Sequence, residues 1–145
     1  MHPAPAARAV FRAAKNADLT REGSSRLGTF SDQNALPAAV RFAADHALAE
    51  HLQNILDHSN AGEIEYEFAV DVDRLTLTVL DDGAPFDPLS APSPNADLSI
   101  DDRPIGGLGV HMMRKLMDEI SYQRRNGQNH IVMTKRMSLP AHVNP

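Results

Sequence analysis

The 145-residue chain has no cysteine and no tryptophan, and its aromatic residues are only two tyrosines and five phenylalanines. Without cysteine there is no disulfide, iron–sulfur cluster, cysteine-ligated zinc or cysteine nucleophile. Basic residues number 14 against 19 acidic ones, and the net charge of −5 argues against a broad nucleic-acid-binding surface. No apolar run approaches the roughly 20 residues of a membrane span, and the N-terminus lacks a signal-peptide core. We therefore expect a cytoplasmic protein that contacts neither membrane nor nucleic acid directly.

Apolar residues make up 42% of the chain, which at this length suffices for one hydrophobic core. We expect a single domain over residues 8–137, between a loose Pro/Ala-rich N-terminus (1–7) and a C-terminal tail (138–145). The hydrophobic periodicity predicts the order β-α-α-β-β-loop-α-β-β. The predicted helices are 19–33, 38–58 and 110–119, and the predicted strands are 8–14, 63–70, 75–80, 120–125 and 129–136. This order indicates an α+β fold, a two-layer sandwich with helices on one face of a mostly antiparallel mixed sheet.

The first predicted helix has mixed signals. Asp18 is a plausible N-cap, whereas Gly23, Ser24 and Ser25 lower the helix propensity. The second helix is free of Gly and Pro and carries Glu50 and Asn54 four residues apart, so both project from one face.

A carboxylate beside a carboxamide suits a Mg²⁺ ion and the orientation of a nucleophile. An ordinary exposed polar face explains the same pair, and a zinc site formed by His46, Glu50 and His58 is a weaker alternative.

Two further motifs follow strands or loops. Asp81 ends a strand two residues before Gly83, where a carboxylate can accept from a ligand amino group and glycine permits close approach of a planar ring. A simple β-turn accounts for the same residues. Glycines 106, 107 and 109 precede the third helix, where backbone N–H groups can bind phosphate. The preceding loop, 84–105, has five of the ten prolines. We expect its part from 88 to 105 to be a lid that is disordered without nucleotide and becomes ordered over the phosphates.

The order of these motifs resembles the N, G1 and G2 boxes of the GHKL ATPases, which share the Bergerat (histidine-kinase-like) ATP-binding fold. Within that superfamily the sequence is most similar to the small anti-sigma-factor serine/threonine kinases, over roughly residues 8–137. The similarity is carried by the phrases LAEHLQNILDHS, VLDDGAPFDP, GGLGVHMMRKLMDEISY and IVMTKR.

The resemblance implies a role for each matching residue. Glu50 corresponds to the catalytic general base and Asn54 to the Mg²⁺ ligand. Asp81 corresponds to the carboxylate that binds adenine, with Gly83 as its neighbour and Thr134 as the hydroxyl beside the base. The phosphate-binding segment corresponds to Gly106, Gly107, Leu108 and Gly109, with Arg103 of the lid as a further phosphate contact.

The resemblance also implies a function. The expected activity is ATP- and Mg²⁺-dependent phosphorylation of a serine or threonine on an anti-anti-sigma (STAS-type) protein, together with control of a sigma factor and possible homodimer formation. Gln53, bulkier than the residue usually found before the asparagine, leaves open a nucleotide-sensing binding protein without phosphotransfer. A detached histidine-kinase-type catalytic domain is the third hypothesis.

Overall fold

The computed structural model describes residues 5–90 and 107–137. Its strands are β1 (Ala7–Ala14), β2 (Glu63–Val70), β3 (Arg74–Asp81), β4 (Glu119–Arg125) and β5 (Gln128–Arg136). Its α-helices are α1 (Leu19–Gln33), α2 (Ala38–His58) and α3 (Gly107–Leu116), and a short 3-10 turn spans Pro88–Ser90. Within the described ranges, no helix combines the length and apolarity that crossing a membrane requires.

The five strands form one sheet in the order β1-β2-β3-β5-β4. The predicted α+β architecture is confirmed, with one refinement to the expected mixed sheet: all four strand pairings among the described residues are antiparallel. Hairpins join β2 to β3 and β4 to β5, and because β5 lies between β3 and β4, the end of β3 is beside the start of β5.

The strands β2 and β3 alternate between core and outer positions as their sequences predict. The side chains at Ile64, Tyr66, Phe68 and Val70, and at Leu75, Leu77 and Val79, are all buried. They pack under the helices in one hydrophobic core, because a period of two places every second side chain on the same face of a strand.

Helix α2 is the central element of the helical layer. It packs against α1 on one side and α3 on the other, and against β3 and β5 below. Its buried positions run from Val40 to Ile55, so the buried polar residues of its second half, His51 and Asn54, lie over the sheet.

Helix α1 forms despite its glycine and serines because they allow close packing. A Cβ built on the buried Gly23 would lie 2.5 Å from Cδ1 of Leu52, so glycine lets α1 approach α2. Ser24 donates its hydroxyl hydrogen bond to the Asp45 carboxylate on α2. Asp18 occupies the predicted N-cap position, but its side chain makes no capping hydrogen bond and instead pairs with Arg21 at 3.2 Å.

Helix α3 is shifted toward the N-terminus relative to the predicted 110–119. It begins at Gly107 and ends at Leu116, and Glu119 already belongs to β4. The chain leaves the helix because Asp118 bonds to β5: its N–H donates to the Thr134 carbonyl at 2.9 Å, and its carboxylate accepts from the Arg136 N–H at 2.6 Å.

Candidate functional site

A small cavity lies between α2 and the adjoining ends of β3 and β5. Register pairing places Asp81, the last residue of β3, opposite Asn129 of β5, and α2 covers both. The cavity has a volume of about 10 Å³, which is roughly the space for one water molecule. Its lining consists of His51, Asn54, Ile55, Ser59, Asp81, Phe86, Asn129 and Ile131.

Asp81 is the acidic residue of this cavity and is only 4% exposed. Its Oδ1 accepts two hydrogen bonds at 3.0 Å, one from the Gly83 N–H and one from Nδ2 of Asn129. Among the described residues, Oδ2 of Asp81 has no hydrogen-bond partner. A buried carboxylate held by one oxygen leaves the other to accept a hydrogen bond from a ligand, such as an amino group.

Gly83 is required by close approach. A Cβ at this position would lie 2.3 Å from Oγ of Ser59 and 2.9 Å from Oδ1 of Asp81. Any other residue would displace the serine at the end of α2 or the carboxylate itself.

The neighbouring aspartate has a structural role. Oδ1 of Asp82 accepts hydrogen bonds from the N–H groups of Gly62 at 2.8 Å and Glu63 at 3.0 Å. These backbone donors lower the pKa of the Asp82 carboxyl because they stabilise its charged form. Asp81 therefore lines the cavity, whereas Asp82 stabilises the start of β2.

Asn129 is the site residue that the sequence reasoning missed. Its Nδ2 donates to Asp81 and to the Ala84 carbonyl at 2.9 Å, and its Oδ1 accepts from the Phe86 N–H at 3.2 Å and the Tyr122 hydroxyl at 2.6 Å. These four bonds use the full capacity of the side-chain amide. The Asn126-Gly127 turn, together with the predicted end of β3, contained the signal, since both restrict which β5 residue lies opposite Asp81.

The family resemblance implied that Thr134 supplies a hydroxyl beside the adenine, and the structure does not bring Thr134 to Asp81. Thr134 pairs with Thr76, five residues from the Asp81–Asn129 pair. That separation is about 17 Å along a strand, and because it is an odd number of residues, the side chain is on the opposite face of the sheet.

His51 is a second cavity residue that the sequence reasoning did not single out. It is 3% exposed, and neither Nδ1 nor Nε2 has a hydrogen-bond partner within the described chain. Burial lowers the pKa of His51 from 6.5 to about 4, because desolvation of the imidazolium outweighs the attraction of the Asp81 carboxylate. The imidazole is therefore neutral at neutral pH.

Asn54 lines the cavity one helical turn beyond Glu50. It is buried, and its Nδ2 has no partner among the described residues, so this NH₂ group can donate a hydrogen bond to a ligand, whereas a metal contact would come from Oδ1. Glu50 is half-buried and lies about 6 Å earlier along the axis of α2. Gln53 is exposed, donates to Asp57 at 3.0 Å and accepts from Thr20 at 3.4 Å. Its bulk is therefore directed away from the cavity.

The zinc alternative is wrong. His46 and His58 are separated by about 18 Å along α2. His46 stacks on Phe42 with a centroid distance of 4.2 Å, whereas His58 faces Phe86 at 6.3 Å. Across residues 5–90 and 107–137, no group of three or more His, Asp or Glu side chains is placed to hold a metal.

The glycine-rich segment lies only partly within the described residues. Gly107, Leu108 and Gly109 form the first turn of α3, which packs against α2. Arg103 and Gly106, like most of the predicted lid, lie outside the described residues. The phosphate-binding role of this segment stays a prediction.

Comparison with known proteins gives matches over most of the chain. The family model described as "Histidine kinase-like ATPase domain" matches residues 6–135. The serine/threonine-protein kinase BtrW of Bordetella bronchiseptica is 36% identical over 101 residues, which are 67% of this chain and 71% of BtrW. The serine-protein kinases RsbW of Bacillus velezensis and Bacillus subtilis are 34% and 33% identical over 128 residues, 83% of this chain and 76% of each relative.

A solved structure gives the same fold. The crystal structure of the RsbU and RsbW domains of a Mycobacterium tuberculosis protein superposes with a TM-score of 0.65 and 15% identity. The match covers 91% of this chain and 32% of that longer chain.

Proposed function

The chain belongs to the histidine kinase-like ATPase domain family, and on that premise we propose that it is an ATP-dependent serine/threonine protein kinase and anti-sigma regulatory factor. The observation that carries this proposal is the held carboxylate of Asp81, fixed through Oδ1 by Gly83 and Asn129. The proposed domain is residues 8–137.

The cavity beneath α2 is the adenine end of the proposed nucleotide site. The free oxygen of Asp81 accepts a hydrogen bond from the exocyclic amino group of adenine, whereas guanine would present a carbonyl oxygen there. The cavity as it stands admits about one water molecule. Base binding therefore requires displacement of a neighbouring side chain, and Phe86, which is 41% exposed and lines the cavity, is the group we expect to move.

The phosphate end of the site is proposed to lie toward Glu50 and the start of α3. Bound Mg²⁺ would supply charge neutralisation at the phosphate oxygens, and Oδ1 of Asn54, whose side chain lines the cavity, would be its protein ligand. The backbone N–H groups of Gly106–Gly109 and the side chain of Arg103 are the proposed phosphate donors.

The proposed chemistry is transfer of the γ-phosphoryl group to a hydroxyl. The oxygen of the substrate hydroxyl bonds to the γ-phosphorus while Glu50 accepts the hydroxyl proton. ADP leaves with the electrons of the broken P–O bond. Most of the rate then comes from positioning and charge stabilisation, because a loose transition state needs little covalent help from the protein.

The proposed protein substrate is an anti-anti-sigma protein of the STAS type, and the proposed controlled partner is a sigma factor. Sequestration of a sigma factor places the activity in the cytoplasm, and a homodimer is the proposed assembly. These partners follow from the family resemblance and from relatives named as RsbW and BtrW kinases.

The test is a phosphotransfer assay with radiolabelled ATP and the anti-anti-sigma protein encoded nearest to this gene. We expect label on the partner in the presence of Mg²⁺ and none when the acceptor serine is replaced by alanine. If the chain binds ATP and the partner but transfers no label, it is a nucleotide-gated binder. The orientation of Gln53 away from the cavity, toward Thr20 and Asp57, removes the sequence feature that favoured that alternative.

A further inference from the structure

His51 occupies a position where an apolar side chain would pack at lower cost. It sits on the buried face of α2 beside Leu52 and Ile55, which belong to the hydrophobic core. Both of its ring nitrogens are buried without a hydrogen-bond partner in the described chain. An unsatisfied buried polar group destabilises a fold, and nearly all such groups in proteins find a partner. A packing role alone therefore does not account for histidine here.

The surroundings of His51 identify what it could serve. It lines the same cavity as Asp81 and Asn129, and the Asp81 carboxylate is near enough to act on the imidazole electrostatically. A neutral imidazole carries one N–H donor and one acceptor nitrogen. The base-binding end of the cavity thus contains an acceptor at Asp81 and an uncommitted donor at His51.

That pair matches the hydrogen-bonding edge of adenine. Where Asp81 accepts from the exocyclic amino group, the adjacent ring atom N1 is an acceptor and needs a donor. Asn129 has no hydrogen left to donate, since both are bound to Asp81 and Ala84. Two competing donors line the cavity: the Ser59 hydroxyl, which accepts from the Ala61 N–H at 3.0 Å and keeps its own hydrogen, and Nδ2 of Asn54, which has no partner among the described residues.

We propose that His51 is a specificity-determining residue of the nucleotide site, donating its ring N–H to N1 of adenine directly or through one water molecule. This inference rests on the proposed function. Together, Asp81 and His51 present acceptor and donor to the base. Guanine, with a carbonyl oxygen and a protonated N1, presents the reverse order.

The experiment compares ATP with 1-deaza-ATP, in which carbon replaces N1, by calorimetry on the full chain. Three variants are measured beside the wild type: His51→Leu removes the donor and keeps the volume, His51→Gln restores a donor, and Ser59→Ala removes the competing hydroxyl. One neutral hydrogen bond corresponds to about 5- to 10-fold in affinity. We expect wild type and Ser59→Ala to prefer ATP by about that factor, His51→Leu to bind both nucleotides equally, and His51→Gln to regain part of the preference.

A readout without mutation accompanies these affinities. The ¹⁵N chemical shifts of the His51 ring in the wild-type protein should change more on addition of ATP than of 1-deaza-ATP. Three results would overturn the inference while leaving the kinase proposal intact. They are an equal preference for ATP over 1-deaza-ATP in wild type and His51→Leu, loss of that preference only in Ser59→Ala, and identical His51 ring shifts with both nucleotides. Failure of the wild type to bind ATP would overturn both.

Discussion

The Asp81 carboxylate is fixed by hydrogen bonds at Oδ1, while Oδ2 has no partner in the described chain, so loss of its charge should affect ligand binding more than folding. In Asp81→Asn the side-chain oxygen can still accept from Gly83 and Asn129, whereas the ligand then faces an NH₂ group. A buried hydrogen bond to a charged group contributes about 1.5–3 kcal/mol, so ATP affinity should fall about 10- to 100-fold.

The measurement for this variant is calorimetry with ATP and GTP. The difference in affinity between ATP and GTP should be smaller in Asp81→Asn than in the wild type, and the circular dichroism spectrum should match that of the wild type. Unchanged ATP affinity in a folded Asp81→Asn protein would show that the Asp81 carboxylate does not hydrogen-bond to adenine.

Glu50 and Asn54 should fail in different ways when replaced. Loss of a general base typically lowers the rate by about 10²- to 10⁴-fold with little effect on ground-state binding, so Glu50→Gln should bind ATP but transfer phosphate slowly. Asn54→Ala should weaken ATP binding in the presence of Mg²⁺, because an amide oxygen is lost from an ion with strict octahedral demands. Gln53→Ala is the matched control, since that side chain is exposed and its partners within residues 5–90 and 107–137 are Thr20 and Asp57.

Nucleotide affinity and single-turnover phosphotransfer, measured on all three variants, separate these roles. A wild-type transfer rate in Glu50→Gln would exclude that residue as the base. A Gln53→Ala defect equal to either of the others would mean that the exposed face of α2, and not the cavity, carries the activity.

The buried imidazole of His51 makes stability depend on pH. Its pKa is about 4 in the folded chain and 6.5 in the unfolded chain, so between those values the unfolded state binds the additional proton. The contribution of the neutral His51 imidazole to the free energy of unfolding is therefore fully present above pH 6.5 and is lost as the pH falls toward 4. At pH 5 the loss amounts to about 2 kcal/mol.

Urea denaturation at pH 7.5 and pH 5 tests this dependence. The stability lost by wild type should exceed that lost by His51→Leu by about 2 kcal/mol, because the other titrating groups are common to both proteins. At pH 7.5 the leucine variant should be at least as stable as wild type, since it removes two unpartnered buried nitrogens. Equal losses in the two proteins would contradict the neutral, buried imidazole.

Sequence reasoning reached some residues of the site and missed others for a physical reason. Asp81 and Gly83 were identified because a carboxylate and a glycine at a strand end are adjacent in the chain. Asn129 was missed because the partner of Asp81 depends on strand register, a non-local property. Thr134, expected beside the adenine from the family resemblance, lies five residues away along β5. His51 gave no signal of its own, since a histidine on an apolar helix face is compatible with ordinary core packing.

Helix α1 contains two glycines whose surroundings differ sharply. A Cβ on Gly23 would meet Cδ1 of the fully buried Leu52 at 2.5 Å, whereas a Cβ on Gly28 has nothing within 4 Å. Alanine improves helix propensity by a similar amount at both positions, so the difference between Gly23→Ala and Gly28→Ala isolates the packing clash. We expect Gly28→Ala to stabilise the protein by about 0.5–1 kcal/mol and Gly23→Ala to be about 1–3 kcal/mol less stable than Gly28→Ala.

Chemical denaturation of both variants measures that difference. If the two alanine variants are equally stable, α1 does not depend on a glycine contact with α2.

The regular elements were predictable where one signal was strong. The span of α2 matches the predicted 38–58 because no Gly or Pro interrupts its periodicity, and β2 follows its strict alternation. The end of α3 was placed too late because Asp118 bonds to β5, a tertiary contact that overrides local pattern. Asp18 occupies the predicted N-cap position but makes no side-chain capping bond, because its carboxylate pairs with Arg21.

The molecule as a whole should gain stability from its nucleotide. A ligand that binds only the folded state at 100 times its dissociation constant stabilises it by about 2.7 kcal/mol. For a chain of this length that corresponds to a rise in Tm of roughly 8 °C. Differential scanning calorimetry with ATP and Mg²⁺ should show this rise in wild type and Gln53→Ala, and a much smaller one with GTP. In Asp81→Asn at the same ATP concentration, the 10- to 100-fold weaker affinity should leave a rise of only about 1–4 °C. Equal shifts with ATP and GTP would contradict adenine selectivity.

The architecture was predictable as a class, and its connectivity was not. The order of elements indicated helices over one face of a sheet, and in the part of the chain that the structure describes five strands and three α-helices form that arrangement. The insertion of β5 between β3 and β4 brings Asp81 beside Asn129, and nothing in the local sequence of either strand specifies that neighbour.

The four hydrogen bonds of Asn129 also constrain how this lineage can vary. Its amide joins Asp81 on β3, Tyr122 on the edge strand β4 and the backbone at Ala84 and Phe86, with no bonding capacity left over. A change at position 129 alone leaves a buried carboxylate and a phenol short of partners at once, so an inherited substitution there survives only with compensation at 122, at 81 or in the turn after β3. Positions 81, 122 and 129 should therefore covary among close descendants of this sequence. A substitution at Tyr122 on the edge strand β4 should thus be accompanied by substitutions among the residues that line the cavity.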